Sequence, residues 1–411
     1  MKRVLVVGAG GQGGPCASIL ARDKDVTEIV LGDIDVELAN RVKNKIKSDK
    51  ITAVKLDAGK VEEIKSAAKG VDVIINLTLI RFNANVMKAA VESGVHYVDS
   101  ASSEPLWTQL AKGEPLEFDD EFKKAGLTAL IACGGTPGIT NVLARYTCDK
   151  LDRVDEIRIR AGGKPLEESK EVVSAWDPGW APEVAIADYA DPPVVFENGK
   201  HQVHPIFSDC EEYVFPEPVG PVLVTYHTHE EVVMLPRFIG KGINYCDFKY
   251  PLDPIAGALV KMGFAERKAI DVKGVKVAPI DVLMKLVRHP VDTFLNEDEN
   301  AAKLPPEMVG LIVMEIKGTK AGENITYKIF WPYNLFMTVE EKVKMYQKFG
   351  TTNIAVALPA IVGAKICVGG FTQKGVIGPE CLDSIKFLKT MANMDWPLKF
   401  HEECTKKVSI Y

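Results

Sequence analysis

Gly8, Gly10 and Gly13 give the spacing Gly-x-Gly-x-x-Gly within the run Gly8-Ala9-Gly10-Gly11-Gln12-Gly13-Gly14. The run follows the apolar stretch Val4-Leu5-Val6-Val7 and precedes Pro15 and Ala17, which suit an early helix. A strand, a glycine turn and a helix N-terminus together make a cradle for the pyrophosphate of a dinucleotide. Gly8 permits the tight turn, Gly10 admits the phosphates close to the backbone, and Gly13 lets strand and helix pack. Gly11 and Gln12 complete the cradle. Asp33 stands 20 residues past Gly13, at the end of the next apolar run. A carboxylate there accepts hydrogen bonds from the adenine ribose and repels a 2′-phosphate. The expected cofactor is therefore NAD, with NADP left open by Arg41 on the following helix; Asp35 can share the ribose. The alternative, a structural glycine turn beside a solvated Asp33, conflicts with the agreement of strand, turn and acid. Asp57, ending the third strand, is placed to reach the adenine amino group or to cap a helix.

The carboxyl ends of strands four to six should line the crevice where such sheets bind ligands, bringing Asn76, Thr78, Asp99, Ser100, Cys133 and Gly134 towards a nicotinamide. Asn76 and Thr78 are expected on the cofactor. Asp99 can hold a protonated amine or take its proton, or it can bond only the amides of the next loop. Cys133 offers a thiol nucleophile, but no histidine stands near it in sequence, and a small buried hydrophobe is favoured. The turn Gly134 to Asn141 can present amides to an anion or serve as a hinge between domains. His227 and His229 alternate on an expected strand and so share a face. Chelation needs a third ligand that the spacing does not supply, so an exposed strand is favoured and no metal is expected. Arg158 and Arg160 share a strand face as a carboxylate clamp or a solvated pair. Trp176, Trp180 and Tyr189 are expected in core or interface rather than in a lid.

Strand and helix alternate regularly through the first third of the chain. Apolar runs at Val4 to Val7, Glu28 to Leu31, Ala53 to Leu56, Val71 to Asn76, Tyr97 to Asp99 and Leu127 to Ala132 predict strands. Helices are predicted between them, from Asp35 to Ile46, Lys60 to Lys69 and Asn85 to Glu92, with a further one from Asn141 to Tyr146. Short links between such units imply a doubly wound parallel sheet. From Leu151 to Tyr346 the pattern loosens into alternating strands, which predicts an inserted α+β domain on a largely antiparallel sheet. After Gly350, Thr351 and Thr352 are expected to cap a helix from Asn353 to Val368, apolar all round and so buried, with a kink at Pro359. The division expected is 1–140 with 350–395 as the Rossmann domain, and 141–349 as the substrate and dimerisation domain.

The 411 residues are 46% apolar and 26% charged, enough for two or three soluble domains. Lys plus Arg is 50 against 56 for Asp plus Glu, a net charge of −6, which argues against a general nucleic-acid binder or a polybasic membrane anchor. The longest apolar stretch, Ile354 to Ala364, is 11 residues, against roughly 20 needed for a span. The apolar start runs straight into glycines and reads as a buried strand, not a leader. Eight scattered cysteines form no Cys-x-x-Cys pair, which fits a reduced, cytoplasmic setting.

Several of these motifs resemble one family. Gly8 to Gly13, Asp72-Val-Ile-Ile-Asn76, Gly94-Val-His-Tyr-Val-Asp99, the Gly-x-x-Pro-Gly-x-x-Asn run at Gly134 to Asn141, Gly350-Thr-Thr and Gly375-Val-Ile-Gly-Pro-Glu380 are similar to the saccharopine dehydrogenase family. The similarity covers Met1 to Arg145 and Val343 to Leu382, and it is weaker between them, where Leu235-Pro236 and Leu311 to Trp331 look like the substrate domain of lysine 6-dehydrogenase-type members. The resemblance implies an NAD(P)-dependent oxidoreductase acting on a carbon–nitrogen bond of an amino acid or secondary amine. It also implies that the C-terminal helix returns to the first domain. Trp176 to Glu197 is an insertion relative to the short lysine 6-dehydrogenase pattern, and carboxynorspermidine dehydrogenase-like members have about this length. A cytoplasmic homodimer without nucleic-acid or membrane partners is expected. A non-catalytic NAD-binding scaffold or redox sensor is the alternative.

Overall fold

The computed structural model describes residues 1–165, 176–305, 308–331, 338–396 and 399–407. Strands β1 (Arg3–Val7), β2 (Glu28–Asp33), β3 (Ile51–Lys55), β4 (Val73–Asn76), β5 (His96–Asp99) and β6 (Thr128–Leu130) are separated by helices, and all run parallel. A seventh strand, Gly375–Ile377, pairs in parallel with the outer side of β6. Along the sheet the order is Gly375–Ile377, β6, β5, β4, β1, β2, β3. The uninterrupted apolar run of β1 follows from burial on both faces. Val4 and Val6 feed one core, whereas Leu5 and Val7 feed another. Strand order reverses between β1 and β4, which opens a crevice above their carboxyl ends.

The helix Ala357–Val368 covers one face of this sheet, against β4, β5, β6 and the helix Gly13–Arg22. Its close approach depends on Gly363, where a Cβ would lie 2.5 Å from Leu130 Cδ2 and 2.9 Å from Cys133 Sγ. The helix begins four residues later than its threonines predict. Thr351 Oγ1 accepts from the Asn353 amide in a local turn, and Thr352 bonds Glu297 instead. Pro359 therefore falls in the first helical turn, where no amide is needed, and does not act as an interior kink.

The second sheet is built around the strand Arg153–Pro165, which pairs antiparallel with Met308–Lys320 and parallel with Tyr245–Pro251. Met308–Lys320 continues antiparallel into Glu323–Trp331. Sequence periodicity misses the short polar strands Lys200–Val203 and Glu211–Val214 and the terminal strand His401–Lys406. The last pairs with Glu323–Trp331, so the chain returns to the second sheet after helix Ser384–Asn393. Its residues are exposed throughout, which removes the apolar alternation that would have marked it. The helices Ile139–Cys148 and Glu231–Ile239 pack against each other, one leaving the first sheet and the other serving the second.

Candidate active site

The first turn has the backbone a dinucleotide requires. Gly8 has φ +97°, and a Cβ there would lie 2.9 Å from the Leu77 carbonyl oxygen. A Cβ on Gly13 would sit 1.8 Å from the Gly8 carbonyl oxygen, whereas Gly10 faces open space. Asp33 is half-buried at the end of β2; its carboxylate accepts from the Ala9 amide at 2.7 Å and the Asp35 amide at 2.9 Å. It therefore fixes the glycine turn. The neighbouring Ile34 is 65% exposed and free to pack on a ring. Asp35 takes the helix-capping role instead of the ribose, accepting from the Glu37 and Leu38 amides. Asp57 accepts from the Gly59 amide at 2.8 Å and lies 3.5 Å from Lys60 Nζ, so it shapes a turn and does not cap the helix Val61–Ala67. Gln12 Oε1, Ser102 Oγ and Thr136 Oγ1 are buried without a hydrogen-bond partner among the described residues. They lie after β1, β5 and β6, along the carboxyl edge. Open space at Gly10 and these unmet polar valences fit a bound dinucleotide and substrate.

Asn76, Thr78 and Asp99 form an internal network. Asn76 Nδ2 donates to Asn83 Oδ1 at 2.8 Å and to the Tyr97 hydroxyl at 3.0 Å, while its Oδ1 accepts from the Thr78 amide and hydroxyl. Tyr97 donates to Asp99 Oδ2 at 2.8 Å, and Asn83 Nδ2 to the same oxygen at 3.2 Å. The Ala132 amide donates to Asp99 Oδ1 at 2.6 Å. Asp99 is 1% exposed, and burial pushes its carboxyl up to about 8 against the hydrogen bonds from Ala132 and Tyr97. Both its oxygens are engaged, so it ties β4, β5 and β6 together at their ends. Cys133 is fully buried, and its thiol donates to the Pro359 carbonyl at 3.4 Å. Desolvation drives that thiol well above its ordinary range, so it offers no thiolate. The amides of Gly134, Gly138, Ile139 and Thr140 are bonded within their own turn, to Pro137, Asn141, Gly134 and Gly135. They do not form the open anion cradle that the sequence suggests.

The reactive groups that periodicity overlooks come from the loop after the strand Pro221–Tyr226. His227 and His229 lie beyond that strand's end, in a loop where His227 is buried and His229 half-buried, and not on an exposed strand. His227 packs between Tyr189 and Tyr250, and burial lowers it to about 3. His229 stacks on Phe248 at 3.9 Å with rings nearly parallel, and its Nδ1 bonds Glu231. Glu231 is completely buried and accepts from Thr140 Oγ1 at 2.5 Å. Burial alone would lower His229, but Glu231, Glu230 and Asp188 raise it to about 9, so the imidazole is protonated at neutral pH. Burial raises Glu230 and Asp188 above the ordinary carboxylate range, and Glu230 accepts from the Ser102 amide at 3.2 Å. His229, Glu230 and Glu231 present ligand atoms within 4.8 Å of one another, which supplies the carboxylates that His227-x-His229 lacks by spacing. Three carboxyl groups thus surround one imidazolium, and burial disfavours the charged forms of Glu230 and Asp188 until a further cation joins them.

Arg160 is buried and clamps a carboxylate in bidentate fashion, but the partner is Asp247 of the same sheet, at 2.8 and 2.9 Å. Arg158 bonds Glu156 beside it. Trp176 and Tyr189 are buried in a satellite core with Trp180 against it, as expected for a core cluster.

The family model for the saccharopine dehydrogenase NADP binding domain matches residues 4–130, and that for the saccharopine dehydrogenase C-terminal domain matches residues 134–394. The chain belongs to the saccharopine dehydrogenase family. It is 27% identical to carboxyaminopropylagmatine dehydrogenase from Synechocystis sp. over 98% of both chains. It is 25% identical to carboxynorspermidine synthase from Vibrio cholerae over 95% of both. Saccharopine dehydrogenase (L-Glu forming) from Saccharomyces cerevisiae shares the fold at TM-score 0.65, with 15% identity over 98% of this chain and all of that one. Homospermidine synthase from Legionella pneumophila, solved with NAD, shares it at TM-score 0.60, with 12% identity over 97% of this chain and 91% of that one. The family assignment makes the chain an NAD(P)-dependent oxidoreductase acting on an amine or amino acid. Among the described residues no helix is long and apolar enough to cross a membrane.

Proposed function

We propose that the chain interconverts an imine and a secondary amine in a carboxylated polyamine, one arm carrying an amino acid and the other a further cationic nitrogen. The observation that carries this reading is the His229–Glu231 pair, with Glu230 bonded to the amide of Ser102 just past β5. The names of the two full-length relatives, a carboxyaminopropylagmatine dehydrogenase and a carboxynorspermidine synthase, support the substrate class.

The nicotinamide supplies or takes the hydride when bound. Glu230 and Asp188 hold the cationic amine and lose part of their burial penalty when it arrives. In the reductive direction His229, kept as imidazolium by Glu231, gives its proton to the nitrogen as that nitrogen gains a lone pair. In the oxidative direction neutral His229 takes the proton from the ammonium, which frees the lone pair needed to expel hydride. Nδ1 is held by Glu231, leaving Nε2 to face substrate. Asn76, Thr78 and Asp99 position the strand ends under the ring, and Cys133 belongs to the packing beneath helix Ala357–Val368.

Asp33 favours NAD over NADP in this reading. The two bodies are 1–140 with 350–395 and 141–349, and the protein acts as a cytoplasmic homodimer without nucleic-acid partners. All eight cysteines are unpaired, which supports a reducing compartment. The test is consumption of NADH or NADPH with a diamine and an amino-acid aldehyde together. Oxidation with both, and with neither alone, is expected. Turnover of simple α-amino acids instead would overturn the substrate class.

A further inference from the structure

The helix Pro290–Asn296 belongs to the chain segment between the two long strands of the second sheet, yet it lies across the first turn of the dinucleotide domain. A Cβ on Gly11 would come within 2.5 Å of Pro290 Cβ, and one on Gly14 within 2.6 Å of the Phe294 ring. Gly11 and Gly14 are therefore small because this strap covers them, whereas Gly10 is left open for a ligand. Two fastenings hold the strap. Lys45 Nζ donates to the Leu295 carbonyl at 3.3 Å and to the Glu297 carbonyl. Glu297 Oε1 accepts from the Thr352 amide at 2.7 Å and from its hydroxyl at 2.5 Å. Asn353 Nδ2 reaches the Gly11 carbonyl itself at 3.4 Å.

Arg288 and His289 lead into the strap. Both are exposed, and neither side chain has a partner among the described residues. Their Cα atoms lie within about 8 Å and about 4 Å of Pro290 by chain length alone. An unpaired guanidinium and an imidazole are thus carried by the two residues that precede Pro290, the residue that touches the glycine turn. A guanidinium matches phosphate oxygens in bidentate geometry, and no carboxylate among the described residues pairs with this one.

We propose that Arg288, assisted by His289, clamps a phosphate of the dinucleotide from the second domain. Cofactor affinity then depends on a residue outside the dinucleotide-binding domain. The clamp rests on the NAD(P) binding of the family and not on the substrate assignment.

The test is direct titration of the full chain with NADPH and with NADH, followed by nicotinamide fluorescence at low ionic strength without amine. Arg288→Ala should raise Kd by about ten- to a hundredfold, the size expected for a lost charge-assisted contact. Arg288→Lys should recover part of the loss, and His289→Ala should lose less. Equal losses for both dinucleotides identify the pyrophosphate; a loss confined to NADPH identifies the 2′-phosphate. Unfolding of the ligand-free variants should match the parent, because both side chains are exposed. Unchanged Kd for both dinucleotides in Arg288→Ala overturns the clamp. Wild-type binding without amine turnover would sink the substrate assignment and leave the clamp standing.

Discussion

Glu230 accepts a hydrogen bond from the backbone amide of Ser102 at 3.2 Å, which joins the acidic loop of the second domain to the chain leaving β5. The two residues are 128 apart in sequence. The join brings His229, next to Glu230, close to the carboxyl end of β5. It also brings forward an acid, Glu230, that sequence reading passes over in favour of Asp99. Asp99 has both oxygens engaged in its network, whereas Glu230 is half-buried beside His229.

Removing the imidazole should therefore affect chemistry before binding. His229→Gln is expected to lower kcat by about a hundredfold or more, the size of a lost acid–base group, while NADH affinity stays unchanged. A kcat within threefold of the parent would take His229 out of the reaction.

The pH profile follows from the same pair. His229 is raised to about 9 by Glu231, Glu230 and Asp188. Reductive turnover should be flat through neutral pH and fall above about 9, as the imidazolium loses its proton; oxidative turnover should rise there. Glu231→Gln should move both limbs to lower pH. The sign for stability is the same, because a raised folded pKa means the folded state binds the proton more tightly. This contribution is full below the unfolded value of about 6.5 and is lost as pH rises through about 9. Urea midpoints at neutral and alkaline pH measure it, and Glu231→Gln should flatten the difference.

Asp99→Asn puts an amide group where three donors converge, from Ala132, Tyr97 and Asn83. We expect a stability loss of about 1–3 kcal/mol, with cofactor affinity and turnover falling together. A large loss of kcat at unchanged stability and Kd would move Asp99 into the chemistry.

Asp33→Ser should raise the NADP to NAD ratio of kcat/KM by removing the charge that opposes a 2′-phosphate. Asp33 also accepts from the Ala9 amide, so affinity for both dinucleotides should drop somewhat. An unaltered ratio would relieve Asp33 of any part in cofactor choice.

The glycine turn, Asp33 and the buried helix after Gly350 are legible in the sequence because each depends on residues within a few turns of one another. His229 and Glu231 are not, since their roles depend on Thr140, 91 residues before Glu231, and on Ser102. A local signal existed: His229-Glu230-Glu231 opens the apolar helix Glu231–Ile239, and three charged groups entering a buried helix need partners. Gly11 is the converse case. Its motif points to phosphate, but Pro290, 279 positions away, explains why it has no side chain. Arg160 likewise meets Asp247 only through the pairing of two strands.

The late return of the chain to its first sheet has a consequence during synthesis. Helix Ala357–Val368 and strand Gly375–Ile377 emerge from the ribosome after every strand of the second sheet except the terminal His401–Lys406. Until then Leu130 and the face of β4 to β6 that the helix covers stay exposed, and the sheet lacks its edge strand. The nascent chain must therefore carry an unfinished, sticky first domain for more than half its translation, and the second domain must fold beside it without capturing that face.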